Sequence, residues 1–308
     1  MLEEVDVGAP GPGEILLRQT AVGVNFHDCY VRSGLYRTLP LPGIPGIEAV
    51  GVVEALGEGV EQFRVGQRIG YVTGAYGGYA ERRLLPAALA VALPDGLGDV
   101  AAASLLLKGL TACMLLRRVY PVKAGDVILV HAAAGGVGQL LCRWGRHLGA
   151  RVIGTAGSAD KAERARAAGA HEVILYRDGD FAETVMALTG GHGADAVYDA
   201  VGRDTFDQSL KCLAYFGSLV NYGQASGPVE PVPPATLGIR SNSLSRPVVF
   251  HYVRDRSSLG AMADEVFAAF AAGVLRAETA LQLPLADAAK AHAALEDRTT
   301  VGATVLLP

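Results

Sequence analysis

Ala133-Ala-Gly135-Gly136-Val-Gly138 is the stretch whose residue types and spacing point most directly to one chemistry, the holding of a dinucleotide pyrophosphate. It follows Gly125-Asp-Val-Ile-Leu-Val-His131, an apolar, β-branched run of strand length, and leads into Gln139 to Leu148, a helical stretch with few breakers. Strand, glycine-rich turn and helix in that order are the context such a fingerprint requires. Small residues allow the tight turn, the middle glycine lets backbone approach the phosphates, and Gly138 lets helix pack on strand. The helix N-terminus then offers N–H donors and a partial positive charge to the anion.

The next strand bears on which dinucleotide is held. NAD-binding folds place an Asp or Glu about 20 residues on, where it bonds the adenosine ribose. Here the second strand, Arg151-Val-Ile-Gly-Thr155, runs into Ala156-Gly157-Ser158-Ala159-Asp160-Lys161, with no carboxylate at the strand tip. A 2′-phosphate needs room, hydroxyl or N–H donors and a cation, and those residue types are present. Asp160 reads either as a helix cap or as a displaced ribose ligand. Lys161 reads either as a phosphate ligand or as a solvated helix residue like Arg164 and Arg166. The set favours NADPH.

These motifs need a fold to position them. A chain of 308 residues predicts about two domains. Half its residues are hydrophobic and 39 are glycine, which suits an α/β protein with many tight turns. The net charge of −4, without a Lys/Arg cluster, argues against nucleic acid or an anionic membrane as primary partner. The charge-free stretch Cys212 to Val229 carries Asn221, Gln224 and several glycines, a composition unsuited to crossing a bilayer. No basic, apolar leader is recognisable at the start, so a cytoplasmic protein is expected. Cys29, Cys113, Cys142 and Cys212 lie far apart, which indicates neither a disulfide scaffold nor a zinc ribbon.

Three blocks follow along the chain. Residues 1–110 are rich in Gly, Pro and β-branched residues, with strand-like runs at Glu14–Arg18, Ala49–Val53 and Arg68–Val72. Residues 111–247 alternate strand candidates (127–132, 151–155, 172–175, 196–200, 217–222) with helical stretches (136–148, 160–168, 180–189, 204–213). That alternation predicts a parallel sheet covered on both faces. Residues 248–308 follow a proline-rich, linker-like segment at Gly227–Pro234 and carry helices near 257–272 and 286–296, then a strand at 302–307. A final strand needs a sheet to join, and the first block is its natural host. The strand candidate 217–222 is expected at the edge of the parallel sheet.

Taken together, Gly125-Asp126-x-x-Leu129-x-x-x-Ala133-Ala134-Gly135-Gly136-x-Gly138, Gly23-Val-Asn25-Phe-His-Asp28-Cys-Tyr30, Leu107-Lys108-Gly109-Leu110-Thr111, Tyr198-Asp-Ala-Val-Gly202 and Ser245-Arg246-Pro247 resemble the quinone oxidoreductase (zeta-crystallin-like) branch of the medium-chain dehydrogenase/reductase family. The resemblance runs from Pro10-Gly-Pro-Gly-Glu14 to Gly302-Ala-Thr-Val-Leu-Leu, and departs at Arg143, where the family has glutamine. Family members carry an extra strand and hairpin before the Pro-Gly-Pro-Gly-Glu turn, so the expectation is either an incomplete N-terminal sheet or a truncated sequence. The resemblance implies an α/β protein: a Rossmann-type doubly wound parallel-sheet domain (111–247) and a GroES-like, mainly β catalytic domain (1–110, completed by 248–308).

It also implies roles. Zinc-dependent relatives carry a His directly before a Glu, whereas this chain reads Gly46-Ile47-Glu48. The first-ligand Cys region reads Val24-Asn25-Phe26, and the structural zinc lobe is missing. A zinc-independent reductase is therefore expected, donating hydride to quinones, with enone or enoyl reduction as the alternative and a non-enzymatic NADPH-binding role as a third reading. Without a metal Lewis acid the acceptor must already be electrophilic. His27 is expected as a polar surface or loop residue. Asn25, Asp28 and Tyr30 lie on the loop implied to face the nicotinamide; Asn25 and Tyr30 would bond an acceptor oxygen, while Asp28 does so or holds an Asx turn. Gly135, Gly136 and Val137 are implied to line the pyrophosphate. Gly157, Ser158, Lys161 and Tyr176, with Arg298 as an extra cation, surround the 2′-phosphate or adenine. Lys108 and Thr111 touch the nicotinamide half. Val201, Gly202, Tyr222, Gly223 and Gln224 sit at carboxyl ends of strands, where ligands collect. Arg246 contacts cofactor or pairs with a carboxylate. Relatives form homodimers through the sheet edge, so a homodimer is expected.

Overall fold

The computed structural model describes residues 3–176, 179–297 and 300–308. Arg298 lies outside the described residues. In chain order the strands are β1 (Glu14–Val24), β2 (Glu48–Leu56), β3 (Arg68–Val72), β4 (Arg82–Pro86), β5 (Ala90–Ala92), β6 (Val127–Val130), β7 (Arg151–Ala156), β8 (Glu172–Leu175), β9 (Ala194–Asp199), β10 (Leu213–Asn221), β11 (Ser243–Ser245), β12 (Thr279–Pro284) and β13 (Ala303–Leu307). The helices are α1 (Phe26–Arg32), α2 (Asp99–Met114), α3 (Gly136–His147), α4 (Ala159–Ala167), α5 (Phe181–Leu188), α6 (Phe206–Lys211), α7 (Val249–Tyr252), α8 (Arg256–Ala271) and α9 (Ala288–Glu296). Two compact units result: Met1–Leu110 with Phe250–Phe270 and Arg276–Pro308, and Thr111–Val249 with Ala271–Leu275.

The first unit is built on a mainly antiparallel sheet in the order β12-β13-β1-β2-β3-β5, with β4 also paired to β1. Along the start of β1, Ile15 and Leu17 face the core while Arg18 faces out, the two-residue period of a strand with one wet side. Ile15, Leu17, Val53, Ile69, Tyr71, Leu85, Leu295 and Leu306 meet in one buried cluster. β13 pairs antiparallel with β1 (Val22↔Leu306, Val24↔Thr304), which returns the end of the chain to the sheet begun by the first block.

The second unit holds a six-stranded sheet in the order β11-β10-β9-β6-β7-β8, in which every pairing is parallel. Counted along the unit this is the 3-2-1-4-5-6 order of the doubly wound dinucleotide fold. The order reverses between β6 and β9, so the loops after these strands' carboxyl ends open the crevice where such folds take ligands. One expectation is corrected: β10 is not the edge. β11 pairs with it (Ser218↔Ser243, Val220↔Ser245) and takes that position. A three-residue Ser-Leu-Ser strand leaves no periodic signal in the sequence. The proline-rich segment expected as a linker also belongs to this unit, and its Val229 and Val232 pack on the core formed by Leu129, Ile153, Val197 and Leu219.

Helix α2 with the turn that extends it, Asp99–Val119, is long and apolar enough to cross a membrane, with mean hydropathy 1.6. Its residues are mostly buried in the fold: Leu105, Leu106, Leu110 and Met114 are each at most 1 % exposed. The apolar composition is that of a core helix.

His131, just after β6, shows how the second unit satisfies a buried polar group. Its Nδ1 lies 2.9 Å from Thr155 Oγ1 and its Nε2 2.8 Å from Ser209 Oγ, so one ring ties β7 to α6. Burial pulls its pKa below the usual histidine value, partly offset by Asp199. The unfolded chain therefore binds the proton first, and this contribution to stability is present above about pH 6.5 and lost as pH falls. Urea titrations should show His131→Gln losing less stability than the parent between pH 6.5 and 5.5, by up to about 1.4 kcal/mol. Identical pH slopes would contradict the assignment of a neutral, buried imidazole.

Candidate active site

In the second unit the glycine turn is shaped by a close approach. Gly135, in extended backbone, is the N-cap of α3. A Cβ on Gly138 would overlap the carbonyl oxygen of Ala132 and lie 2.9 Å from Ala133 Cα, so any side chain there forces the helix off the turn. Ala132 itself has φ 50°, the left-handed region that L-residues avoid. The result is a tight turn that delivers the N–H groups of Gly136 and Val137, which have no partner within their own helix, to one point.

At the next strand, β7 ends in Ala156 and α4 starts after Ser158, whose Oγ accepts the N–H of Lys161 at 3.4 Å. Ser158, not Asp160, is therefore the cap, and Asp160 stands exposed on the first turn. Ala156↔Leu175 pairing brings Tyr176 beside Gly157, and its hydroxyl lies 3.1 Å from where a Cβ on residue 157 would sit. Gly157, Ser158 and Tyr176 are thus assembled at one place, with the Lys161 backbone tied to Ser158, and hydroxyls and N–H groups but no carboxylate stand at the strand tip. These residues fit a 2′-phosphorylated dinucleotide.

Asp199, at the end of β9, organises the third part. Its Oδ1 accepts from Val201 N–H (2.8 Å), Gly202 N–H (3.0 Å) and Thr205 O–H (2.9 Å). The following loop is stitched to it: Tyr222 N–H donates to Asp199 O, Ala225 N–H to Ala200 O and Ser226 N–H to Val201 O, at 2.8, 3.1 and 2.8 Å. Val201, Gly202, Tyr222, Gly223 and Gln224 are consequently held as two interlocked loops. Among its described bonds, Arg246 Nη1 donates to Asn221 Oδ1 (2.6 Å), Asn221 O (3.0 Å) and Gly223 O (3.1 Å). These bonds brace the loop.

The first unit assembles a buried polar cluster at the start of α1. Asn25 is the N-cap and its N–H donates to Asp28 Oδ2 at 2.9 Å, one half of a capping box. Asn25 and Asp28 are therefore on a helix start, not a free loop. Asn25 Nδ2 donates to Glu48 Oε1 (2.9 Å), and Asn25 Oδ1 accepts from Lys108 Nζ (3.0 Å). Lys108 Nζ also lies 3.3 Å from Glu48 Oε1, and Glu48 Oε2 accepts the N–H of Leu107 at 3.0 Å. Glu48 is 1 % and Lys108 7 % exposed. Gly23 is required beneath them, because a Cβ there would overlap the Glu48 carboxylate.

Asp28 is sealed from solvent, and burial pushes its pKa up to about 7, against the hydrogen bonds from Asn25 and Tyr79, with Glu48 adding to the rise and Lys108 opposing it. Tyr79 O–H donates to Asp28 Oδ2 at 3.1 Å. His27 is neither loop nor open surface. It lies on α1, its Nε2 3.2 Å from Tyr76 Oη and its ring among Tyr36, Tyr76 and Phe250, and burial pulls its pKa down to about 4. Tyr30 sits further along the same helix, packed on Phe26 and Tyr36. Burial pushes the Cys29 thiol up to about 12, which leaves it inert as a nucleophile. Lys108 belongs to the first unit and Thr111, one helical turn on along α2, to the second.

Glu48, Tyr79, His292 and Asp199 were not among the sequence-derived site residues. Glu48 had a signal, an acid opening the apolar run Ala49-Val-Gly-Val-Val53. Asp199 had one too, an Asx-type residue two positions before a turn. Tyr79 and His292 had none, because only the fold brings them to α1. Among the described residues no group of three or more His, Cys, Asp or Glu side chains is placed to hold a metal ion.

Comparison with known proteins agrees with this architecture. Residues 11–95 match the alcohol dehydrogenase GroES-like domain and residues 136–266 the zinc-binding dehydrogenase family. A quinone oxidoreductase of Pseudomonas aeruginosa is 46% identical over 97% of this chain and 92% of its own length. A 2-haloacrylate reductase from a Burkholderia species is 45% identical over 99% of this chain and 94% of its own. The crystal structure of Escherichia coli quinone oxidoreductase complexed with NADPH superposes with a TM-score of 0.96 at 41% identity, covering 99% of this chain and 95% of that one. The chain belongs to the quinone oxidoreductase branch of the medium-chain dehydrogenase/reductase family. Its first unit is the GroES-like domain and its second the Rossmann domain.

Removing one partner of the Glu48–Lys108 pair strands a charge in the interior. Lys108→Met should destabilise the protein by about 3–5 kcal/mol in urea titrations, and Glu48→Gln added to it should recover at least half. Additive losses in the double variant would show that the two groups do not depend on each other.

Proposed function

We propose that this protein is a zinc-independent NADPH:quinone oxidoreductase, working in the cytoplasm as a homodimer on small-molecule acceptors. The observation that carries the reading is the tip of β7, where Gly157, Ser158, Lys161 and Tyr176 gather without a carboxylate. The named relatives support the reaction. NADPH, when bound, supplies the hydride. Gly135, Gly136 and Val137 bind its pyrophosphate, while Gly157, Ser158, Lys161 and Tyr176 bind the 2′-phosphate and adenine. Val201, Gly202, Tyr222, Gly223 and Gln224 line the site, Lys108 and Thr111 meet the nicotinamide half, and Arg246 holds the lining loop in shape. Arg298 is retained as a second cation.

In the first unit Asn25 and Tyr30 orient the acceptor oxygen and Asp28 serves the proton balance. Zinc independence rests on Ile47 standing where zinc-dependent relatives carry histidine, and on a Glu48 carboxylate already compensated by Lys108, Asn25 and Leu107 N–H. A second reading has one specific support: the 2-haloacrylate reductase relative is named for an α,β-unsaturated acid, so enone-type acceptors stand as the alternative. The homodimer rests on Tyr215, Phe216, Ile239 and Leu244, exposed by 70, 77, 78 and 37 % around the short edge strand β11. Apolar surface at an open sheet edge favours pairing with a second copy.

Two assays test this. NADPH oxidation should be fast with 1,2-naphthoquinone or 9,10-phenanthrenequinone, unaffected by chelators, and negligible in reverse with ethanol and NADP⁺. Preference for enones would move the protein to the alternative, and silence on every acceptor would contradict both. Light scattering at micromolar concentration should give twice the chain mass, and Leu244→Lys should shift it toward the monomer; a monomeric parent would overturn the dimer.

A further inference from the structure

Behind Asp28 runs a line of hydrogen-bonded groups for which holding the acceptor gives no role. Tyr79 Oη donates to Asp28 Oδ2 at 3.1 Å and lies 2.8 Å from His292 Nε2. His292 Nδ1 is 3.5 Å from Arg32 Nη1, and Arg32 Nη2 pairs with Glu296. Asp28 is 0 % and His292 4 % exposed, whereas the Arg32 and Glu296 side chains are 46 and 43 % exposed. The line therefore runs from a sealed carboxyl to the surface of the first unit. It joins α1, the loop after β3 and α9.

The direction of each bond follows from donor chemistry. Arginine only donates, so His292 Nδ1 accepts and Nε2 carries the hydrogen. Nε2–H then donates to Tyr79 Oη, and Tyr79 O–H is left to donate to Asp28. Every bond points inward at the carboxyl. The other oxygen, Asp28 Oδ1, is buried with no hydrogen-bond partner among the described residues. An unpaired oxygen is costly on a carboxylate and far less so on a neutral acid. The groups around Asp28 are Tyr79 and Tyr71 from the sheet side, Glu48 on β2, Lys108 on α2, Cys29 and Arg32 on its own helix, and His292 with Glu296 on α9. Burial holds His292 below its usual value, so a neutral ring able to exchange protons at either nitrogen faces Tyr79 at pH 7.

We propose that His292 and Tyr79 form a proton relay that recharges Asp28 from solvent, with Asp28 as the proton store for acceptor reduction. The proposal rests on the quinone-reductase reading. A hydride from NADPH, two electrons and one proton, leaves a quinone one proton short of hydroquinone. Asp28 releases that proton and becomes a carboxylate. Tyr79 O–H passes its proton to Asp28 Oδ2, His292 Nε2–H passes one to Tyr79 Oη, and His292 Nδ1 takes one from water as Arg32 swings toward Glu296. The balance is quinone + NADPH + H⁺ giving hydroquinone + NADP⁺. Rotation of the Tyr79 hydroxyl and proton exchange at His292 reset the line.

The first test needs neither cofactor nor acceptor. The infrared band of the protonated Asp28 carboxyl, assigned by its loss in Asp28→Asn, should exchange quickly when the protein is moved into D₂O. In Tyr79→Phe, which keeps the ring and removes the hydroxyl, exchange should slow at least tenfold. Unchanged exchange, or no such band at pH 6, overturns the relay whatever the enzyme reduces. The second test is kinetic. Tyr79→Phe and His292→Gly should lower kcat for quinones by about 10²-fold with KM little changed, the range of general acid–base catalysis. Added imidazole should restore His292→Gly saturably, following its protonated fraction. Loss of kcat without imidazole rescue, together with a parental pH profile, would make the line a structural strut. A parent that is inactive on quinones but exchanges the Asp28 proton through Tyr79 would refute the enzymatic reading and leave the relay intact.

Discussion

The first unit is organised by the cost of burying Glu48. A carboxylate 1 % exposed must be compensated on every side, and two elements are drawn to it by three groups: α2, with Lys108 Nζ and the Leu107 N–H, and the start of α1, with Asn25. Gly23 at the end of β1 leaves the space the carboxylate occupies. Because Asn25 both caps α1 and bonds the pair, the position of Asp28 three residues on is set by the same cluster. Asn25 and Asp28 are thus held by an interaction whose members cannot move independently.

The second unit depends on sterics more than on charge. Gly138 allows α3 to sit directly against Ala132 and Ala133, and Asp199 uses one carboxylate oxygen to fix the turn after β9. Parallel strands then put these turns at one end of the sheet, since each crossover returns the chain to the same side. The phosphate recognition proposed for the β7 tip rests on what is missing as much as on what is present: a carboxylate there would repel a 2′-phosphate, and the tip is formed by Gly157 and Ser158 instead.

The Rossmann unit was readable because its signals are local. Val127–Val130, Arg151–Ala156 and Ala194–Asp199 are apolar runs bounded by turn residues, and helices α3 to α5 fall between them. β11 was not readable, since three residues of mixed polarity carry no period; its omission misplaced the sheet edge. In the first unit Asn25, Asp28 and Lys108 were legible only through resemblance. Their partners Tyr79 and His292 lie 51 and 264 residues away from Asp28 in sequence, reached through Tyr79. Nothing local marks such a contact. His27 reads in sequence as a surface or loop residue, because its aromatic surroundings, Tyr36, Tyr76 and Phe250, converge only in three dimensions.

The proposed reading has the β7 tip take a 2′-phosphate through Ser158 and Lys161, and titration of the intact protein with NADPH and NADH, followed by nucleotide fluorescence, decides it. NADPH should bind about 10- to 100-fold more tightly, the worth of a charge-assisted phosphate contact of roughly 1.5–3 kcal/mol, and Lys161→Ala should erase most of that difference. Equal affinities for the two nucleotides, or a preference that Lys161→Ala leaves intact, would contradict it.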